Sequence, residues 1–533
     1  MKKRIVYLVC GLMLSLSMAQ AERVMVISDP HVIASSLLQP GAAADEMLAS
    51  GRKMLDLSEP AFKALIDTAL LYRPELVLIP GDLTKDGEKV SHELVAAQLA
   101  RLTEAGIPVL VIPGNHDIAN PASYAYNGNQ KTKVANISDA EFDAIYAAYM
   151  PQASTARDSE SHSYVTESLR GVTVLAIDGV HGSAGTGSLS DNTLNWLLAQ
   201  ADAAVAKGHM VIAMCHWQLI EHVDNQTMVL SSSLLADGDS IAQLLAQHKV
   251  HVALTGHFHI NGVTTKYYGT LNDSIVEITT GSPVAYPCPY RWLEISADRS
   301  TVSVTTDEIR ALGTITDMHA YSRAWQQEHT ANMVPDAARR AWRKVDAYLA
   351  QMESSSNLTM KAFAVLLKAR IPTDDSTRVA LFEKHMGQSM VDLYILHSDA
   401  NENTRPEKDA IVNAFYDNLQ NFMIEVLGED LLNHPVYGVM VGPMVELAMN
   451  MVSASITSLT EDITTGDNPE YEDRTDDLYP VLRVNDPQEI PHEGLETVEA
   501  ENHHATYDVL GRPVQNPAPG QIIIRNKTKQ VTK

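Results

Sequence analysis

Cysteine is almost missing from this chain: three occur in 533 residues, and one of them, Cys10, lies in the first apolar run. Cys215 and Cys288 cannot make a disulfide framework; they form one bridge in an oxidising compartment or stay as two buried thiols. Positive charge is scarce too. Forty Lys and Arg stand against 66 Asp and Glu, a formal net charge of −26, and so acidic a surface argues against a processive enzyme on a nucleic-acid polymer. No apolar stretch is long enough for a bilayer. The run Ile5–Met18 is too short, and the apolar helix read at Val436–Leu459 carries Glu446 and Asn450 inside it. No transmembrane anchor is expected.

The ends of the chain look like addresses. Lys2, Lys3 and Arg4, then the apolar run, then Ala19-Gln20-Ala21 read as a signal peptide over residues 1–21, which implies export. A length of 533 residues exceeds one ordinary core. From Arg23 to about Asp307 short apolar strands alternate with amphipathic helices, beginning with RVMVIS, ELVLIP and PVLVIP, which makes residues 22–310 one domain whose sheet is covered on both faces. From about Thr316 the strand pattern ends. Four or five helices, broken near Ser354, Pro372, Asn401 and Pro435, form an all-helical domain over residues 311–460, its last helix a Met-rich core element. Residues 461–503 are acidic, have prolines and no apolar period, and read as a flexible linker. In residues 504–533 two strand-like pieces flank a Pro-rich turn.

Polar clusters stand where the strands of the first domain end. Asp29-Pro30-His31 follows the first strand, Gly81-Asp82 the second and Gly114-Asn115-His116-Asp117 the third; His216 follows MVIAMC and Gly256-His257-Phe258-His259 follows VHVALT. The carboxyl ends of parallel strands share one edge, so these distant residues meet in one crevice. Each cluster alone is weak, because a lone His after a strand is more often structural and Gly-Asp is a common turn. The ordered set of five is specific. Imidazole, carboxylate and amide donors without a thiolate suit Zn, Mn or Fe, and there are more of them than one cation needs.

The series Asp-x-His, Gly-Asp, Gly-Asn-His-Asp, His, Gly-His-x-His resembles the calcineurin-like metallophosphoesterase superfamily. The resemblance implies an α+β fold, a β-sandwich flanked by helices, around two divalent metal ions. It implies Asp29, His31 and His259 on one metal, Asn115, His216 and His257 on the other, Asp82 bridging them, and His116 as a catalytic histidine that is not a ligand. Lys85 stands where purple acid phosphatases carry a ligand tyrosine, and the form Gly81-Asp82-Leu83-Thr84-Lys85-Asp86-Gly87 departs from the protein phosphatases and is similar to the bacterial cyclic-nucleotide phosphodiesterase branch. The implied activity is hydrolysis of a small phosphate ester, a diester by that branch. A broad phosphomonoesterase or nucleotidase, or a silent binding protein on the same fold, are the alternatives. The tail Tyr507-Asp508-Val509-Leu510-Gly511-Arg512-Pro513-Val514 with Gly520–Asn526 resembles the C-terminal sorting signals of type IX secretion cargo, which implies that machinery as a partner.

Other residues are less decided. Asp86 and Asp117 are both placed to orient His116. His222 and Asp224 are substrate contacts or a solvated loop, and Tyr124 and Tyr126 stack on a base or belong to a surface insertion. His181 borders the site from the loop Gly179–Gly187, and the Pro-rich loop Gly281–Trp292 walls the cleft.

Overall fold

The computed structural model describes residues 21–150, 157–180, 187–400 and 406–432, and strand segments at 471–473, 481–483, 506–508, 522–525 and 528–531. The leader, His181 and the Met-rich helix lie outside the described residues.

Two sheets face each other. In the first, β1 (Glu22–Val26), β2 (Leu76–Pro80) and β3 (Val109–Ile112) run parallel, and β1 continues antiparallel through β12 (Pro289–Ile295) to β13 (Thr301–Glu308). In the second, β7 (Val172–Ile177), β8 (Met210–Cys215), β9 (Val252–Thr255) and β11 (Thr270–Thr279) are parallel, flanked by antiparallel β6 (Tyr164–Leu169) and β10 (Gly262–Tyr268). Strand β8 shows why the layers form. Met210, Ile212 and Met214 enter the core between the sheets with Val26, Leu78 and Leu110. Val211, Ala213 and Cys215 join a second core under the helices Asp191–Ala206 and Gly238–Gln247. Successive side chains point to opposite faces, so a strand buried on both reads as one continuous apolar run. The helices Ser58–Tyr72 and Lys89–Glu104 add Phe62, Leu65, Ile66, Val95 and Leu99 to the same continuous core, which takes in both faces of the first sheet. This is a mixed α/β fold of two packed sheets flanked by helices.

The C-terminal region is helical. Asp317 caps the helix Met318–Ser354, whose 37 residues run unbroken through Pro335. Leu358–Lys368, Asp375–Ser398 and Lys408–Leu427 follow, and Trp342, Leu349, Phe363, Leu367 and Val426 form their shared core. Met318, Tyr321 and Trp325 reach the inter-sheet core, so the first of these helices is rooted in the sandwich.

Two short strands of the acidic stretch 461–503 are described. Tyr471–Asp473 pairs with β10 and Val481–Arg483 with β13, one strand on an edge of each sheet, and Leu482 is buried in the inter-sheet core. Three-residue strands carry no readable period. The tail adds a third strand to the two read there: Thr506–Asp508, Ile522–Arg525 and Thr528–Val531 form one antiparallel sheet.

Candidate metal centre

The ligand atoms gather at the carboxyl edge shared by β1, β2, β3, β8 and β9. The turns that deliver them are strained. Asp29, His31, Asp82, His257 and His259 all hold positive φ, between 43° and 63°, a left-handed conformation costing about 1–3 kcal/mol for a residue with a Cβ. Two glycines make the approach possible. A Cβ at Gly114 would collide with the backbone nitrogen and a carboxylate oxygen of Asp82, and one at Gly256 with Ser28 and the Asp29 carboxylate.

Asp29, His31, Asp82 and His259 each offer an atom within 4.8 Å of the others, and so do Asp82, His216 and His257. Asp82 belongs to both groups. Its Oδ1 accepts the His116 backbone N–H at 2.8 Å. Its Oδ2 faces His31 Nε2 at 3.6 Å on one side and His216 Nε2 at 3.4 Å on the other. Asn115 places its Oδ1 3.0 Å from His216 Nε2. All seven residues that the sequence pattern singled out as ligands therefore stand in one cluster.

Hydrogen bonds behind the cluster set the imidazoles. His216 donates Nδ1–H to the Pro80 carbonyl at 2.8 Å, and His257 donates Nε2–H to the Ser232 carbonyl at 3.1 Å. Their other nitrogens, His216 Nε2 and His257 Nδ1, then face each other with lone pairs at 3.2 Å. His31 Nε2 and His259 Nε2 stand 2.9 Å apart. That spacing suits a shared cation, because nitrogens at right angles on one cation with bonds of about 2.0–2.1 Å are about 2.9 Å apart. The donor set fits divalent cations on both sides of Asp82. The electrostatics agree. Burial acts on every group here. It drives His31 well below its ordinary value and His257 to about 4, leaving neutral ligands. Burial also opposes charge on His216, yet Asp82 and Asp29 push it up to about 9. A proton there competes with a cation for the same lone pair.

His116 stands apart from these ligands. Its side chain is 28% exposed while those of His31 and His216 are fully buried, and its ring lies edge-on to His31 at 4.9 Å. Its Nδ1 meets Asp86 Oδ1 at 2.8 Å, and Lys85 pairs with the other oxygen of Asp86. The choice between Asp86 and Asp117 is thereby resolved. Asp117 is a buried structural carboxylate that accepts from the backbone of Leu83, Thr84 and Gly114 at 2.9–3.0 Å and ties the second and third loops together.

Other readings change. His222 is buried beside Glu277 at 3.2 Å and bonds Thr264, so it is neither a solvated loop residue nor a substrate contact. Tyr126 is buried in a side cluster with Ile33 and Leu37 and cannot stack on a base. From the Pro-rich loop Ser282 pins the Asp29 carbonyl at 2.7 Å, and Tyr286 lines a cavity beside the centre. Both cysteines are free and buried, Cys215 on the helix-covered face. Sequence reasoning missed Lys53, whose Nζ lies 3.4 Å from His31 Nε2. It sits in a loop between helices, and no strand-end pattern marks it.

Residues 22–261 match the calcineurin-like phosphoesterase family, which supports the metallophosphoesterase superfamily for the first domain. Among curated proteins, none matches in sequence. Solved structures similar to the chain include a dimetal phosphatase from Danio rerio, with 13% identity, 56% of this chain and 99% of that one covered, and a TM-score of 0.40. The purple acid phosphatase PPD1 from yellow lupin seeds has 15% identity, 54% and 51% coverage and a TM-score of 0.33. GAP50, the anchor in the inner membrane complex of Plasmodium, has 12% identity, 54% and 85% coverage and a TM-score of 0.31.

Proposed function

We propose that this chain is an exported phosphohydrolase with two divalent metal ions, Fe, Mn or Zn, acting on small phosphodiesters. The observation that carries the reading is the position of Asp82 Oδ2 between two imidazole groups, 3.6 Å from His31 Nε2 and 3.4 Å from His216 Nε2. In that reading Asp29, His31 and His259 hold one cation, Asn115, His216 and His257 the other, and Asp82 both. Bound cations supply hydroxide near neutral pH and polarise the phosphoryl oxygens.

The chain's own residues do the rest. Asp29 and Asp82 spend their other hydrogen-bonding capacity on the backbone of His257 and His116, at 2.8–3.1 Å, which locks the loops to one another. Asp86 accepts the Nδ1 proton of His116, fixes the ring and stabilises its cation. That leaves His116 Nε2 to hold a proton and give it to the departing alkoxide. Diester preference is supported by the Gly81–Gly87 sequence form and export by the basic-apolar leader; the tail's likeness to type IX sorting signals supports that secretion machinery as the route.

The test is metal analysis paired with hydrolysis of bis(p-nitrophenyl) phosphate and p-nitrophenyl phosphate. Two cations per chain and a faster diester are expected. A monoester rate far above the diester rate reverses the substrate class, and a metal-loaded protein inert on both removes the activity.

A further inference from the structure

A cavity of about 420 Å³ opens beside His257 and His259. Its far wall is not part of the sandwich: Gln326, Tyr394 and His397 come from the helices Met318–Ser354 and Asp375–Ser398. The helical region is held against the site by several contacts. Phe258, between the two ligand histidines, meets the His397 ring edge-on at 5.4 Å, and Tyr286 hydrogen-bonds Asp399. Gln326 donates to Ser398 at 3.0 Å within that wall.

Arg52 and Lys53 line the same cavity. The Arg52 guanidinium lies over the Tyr394 ring at 4.2 Å, a cation–π contact that fixes it across the two regions. Its Nη1 is buried and has no hydrogen-bond partner among the described residues. A buried guanidinium nitrogen without an acceptor is costly, and the described residues that line the cavity include no carboxylate. That is notable in a chain whose formal net charge is −26. His397, also on the wall, stays neutral because burial, and then Arg52, push it down to about 3. Lys53 stands nearer the centre, at His31, and Arg52 further into the cavity.

We propose that Arg52 anchors a second anion-binding subsite, so that the preferred substrate is a phosphate ester whose organic part carries its own negative group. The inference rests on the hydrolase reading above and deepens it. With the phosphoryl group at the metal centre beside Lys53, the second anion meets the Arg52 guanidinium against Tyr394, and the helical region thereby selects the substrate. A carboxylate or phosphate accepts from a guanidinium in a charge-assisted pair.

The test compares methyl phenyl phosphate with the three methyl carboxyphenyl phosphate isomers on the metal-loaded full chain, wild type and the variants R52A and R52Q. At least one carboxylated isomer is expected to show a kcat/KM about tenfold or more above methyl phenyl phosphate, and both variants are expected to collapse that ratio. Equal values for all four esters in the wild type, or a ratio that survives in both variants, overturns the subsite. Calorimetric binding of phenylphosphonate and the carboxyphenylphosphonates, which are not hydrolysed, separates the two readings. Tighter binding of a carboxylated ligand that depends on Arg52 keeps the subsite even if no ester is turned over. Equal binding of all of them removes it even if hydrolysis is fast.

Discussion

His116 is the one member of the cluster whose task is separable from metal binding. Its nearest partners are a backbone donor bond to Asp82 and the Asp86 carboxylate, so truncating the ring leaves the ligand set in place. We expect His116→Ala to retain its cations and lose turnover by about 10²-fold or more, read as kcat beside metal content. Wild-type turnover in that variant removes the residue from the mechanism. Asp86→Asn is expected to lower kcat with less effect on KM and to alter the pH profile, because an amide neither fixes the same tautomer nor stabilises the cation of the ring. The ligand histidines were readable because each follows an apolar run. The partner of His116 was narrowed to Asp86 and Asp117, since both lie near it in motif order; only the turn that sends the Asp117 carboxylate back into the backbone decides between them.

The segment Asp82–Glu88 holds both the bridging carboxylate and Asp86, and its end is anchored by a carboxyl group in an unfavourable place. Glu88 accepts the Asp86 N–H at 3.1 Å through one oxygen, while the other is buried without a partner among the described residues. Burial raises its pKa to about 7 from an ordinary 4.5. A folded-state pKa above the unfolded one means the folded protein holds this proton more tightly. The stability it contributes is full below pH 4.5 and is lost as pH rises through 7, a change of roughly 3 kcal/mol. Glu88→Gln removes that dependence. Its melting temperature relative to wild type is expected to be more favourable at pH 8 than at pH 5; a difference independent of pH contradicts the assignment. Such a buried carboxyl is invisible in sequence, where Glu88 reads as an ordinary residue before a helix.

The sandwich and the helical region were both legible, because period and composition change together near Thr316. What was not legible is how the remainder closes on them. Val481–Arg483 and Tyr471–Asp473 return from an acidic stretch to cover β13 and β10. Removing residues 461–533 exposes both edges and takes away Leu482, whose burial alone is worth about 1.5–3 kcal/mol. A lower melting temperature and concentration-dependent association are expected for that truncation, by scanning calorimetry and light scattering; an unchanged melting temperature contradicts the pairing. The Arg52–Tyr394 contact was equally hidden, since it joins a loop and a helix 342 positions apart that no shared pattern connects.

Everything catalytic here depends on two cations sharing one carboxylate. Anomalous diffraction from manganese-loaded crystals tests it directly. The structure predicts two peaks about 3.5–4 Å apart on either side of Asp82 Oδ2, both lost in Asp82→Ala or one lost and the other weakened. A single peak in the wild type, or two peaks that do not share Asp82, contradicts the account.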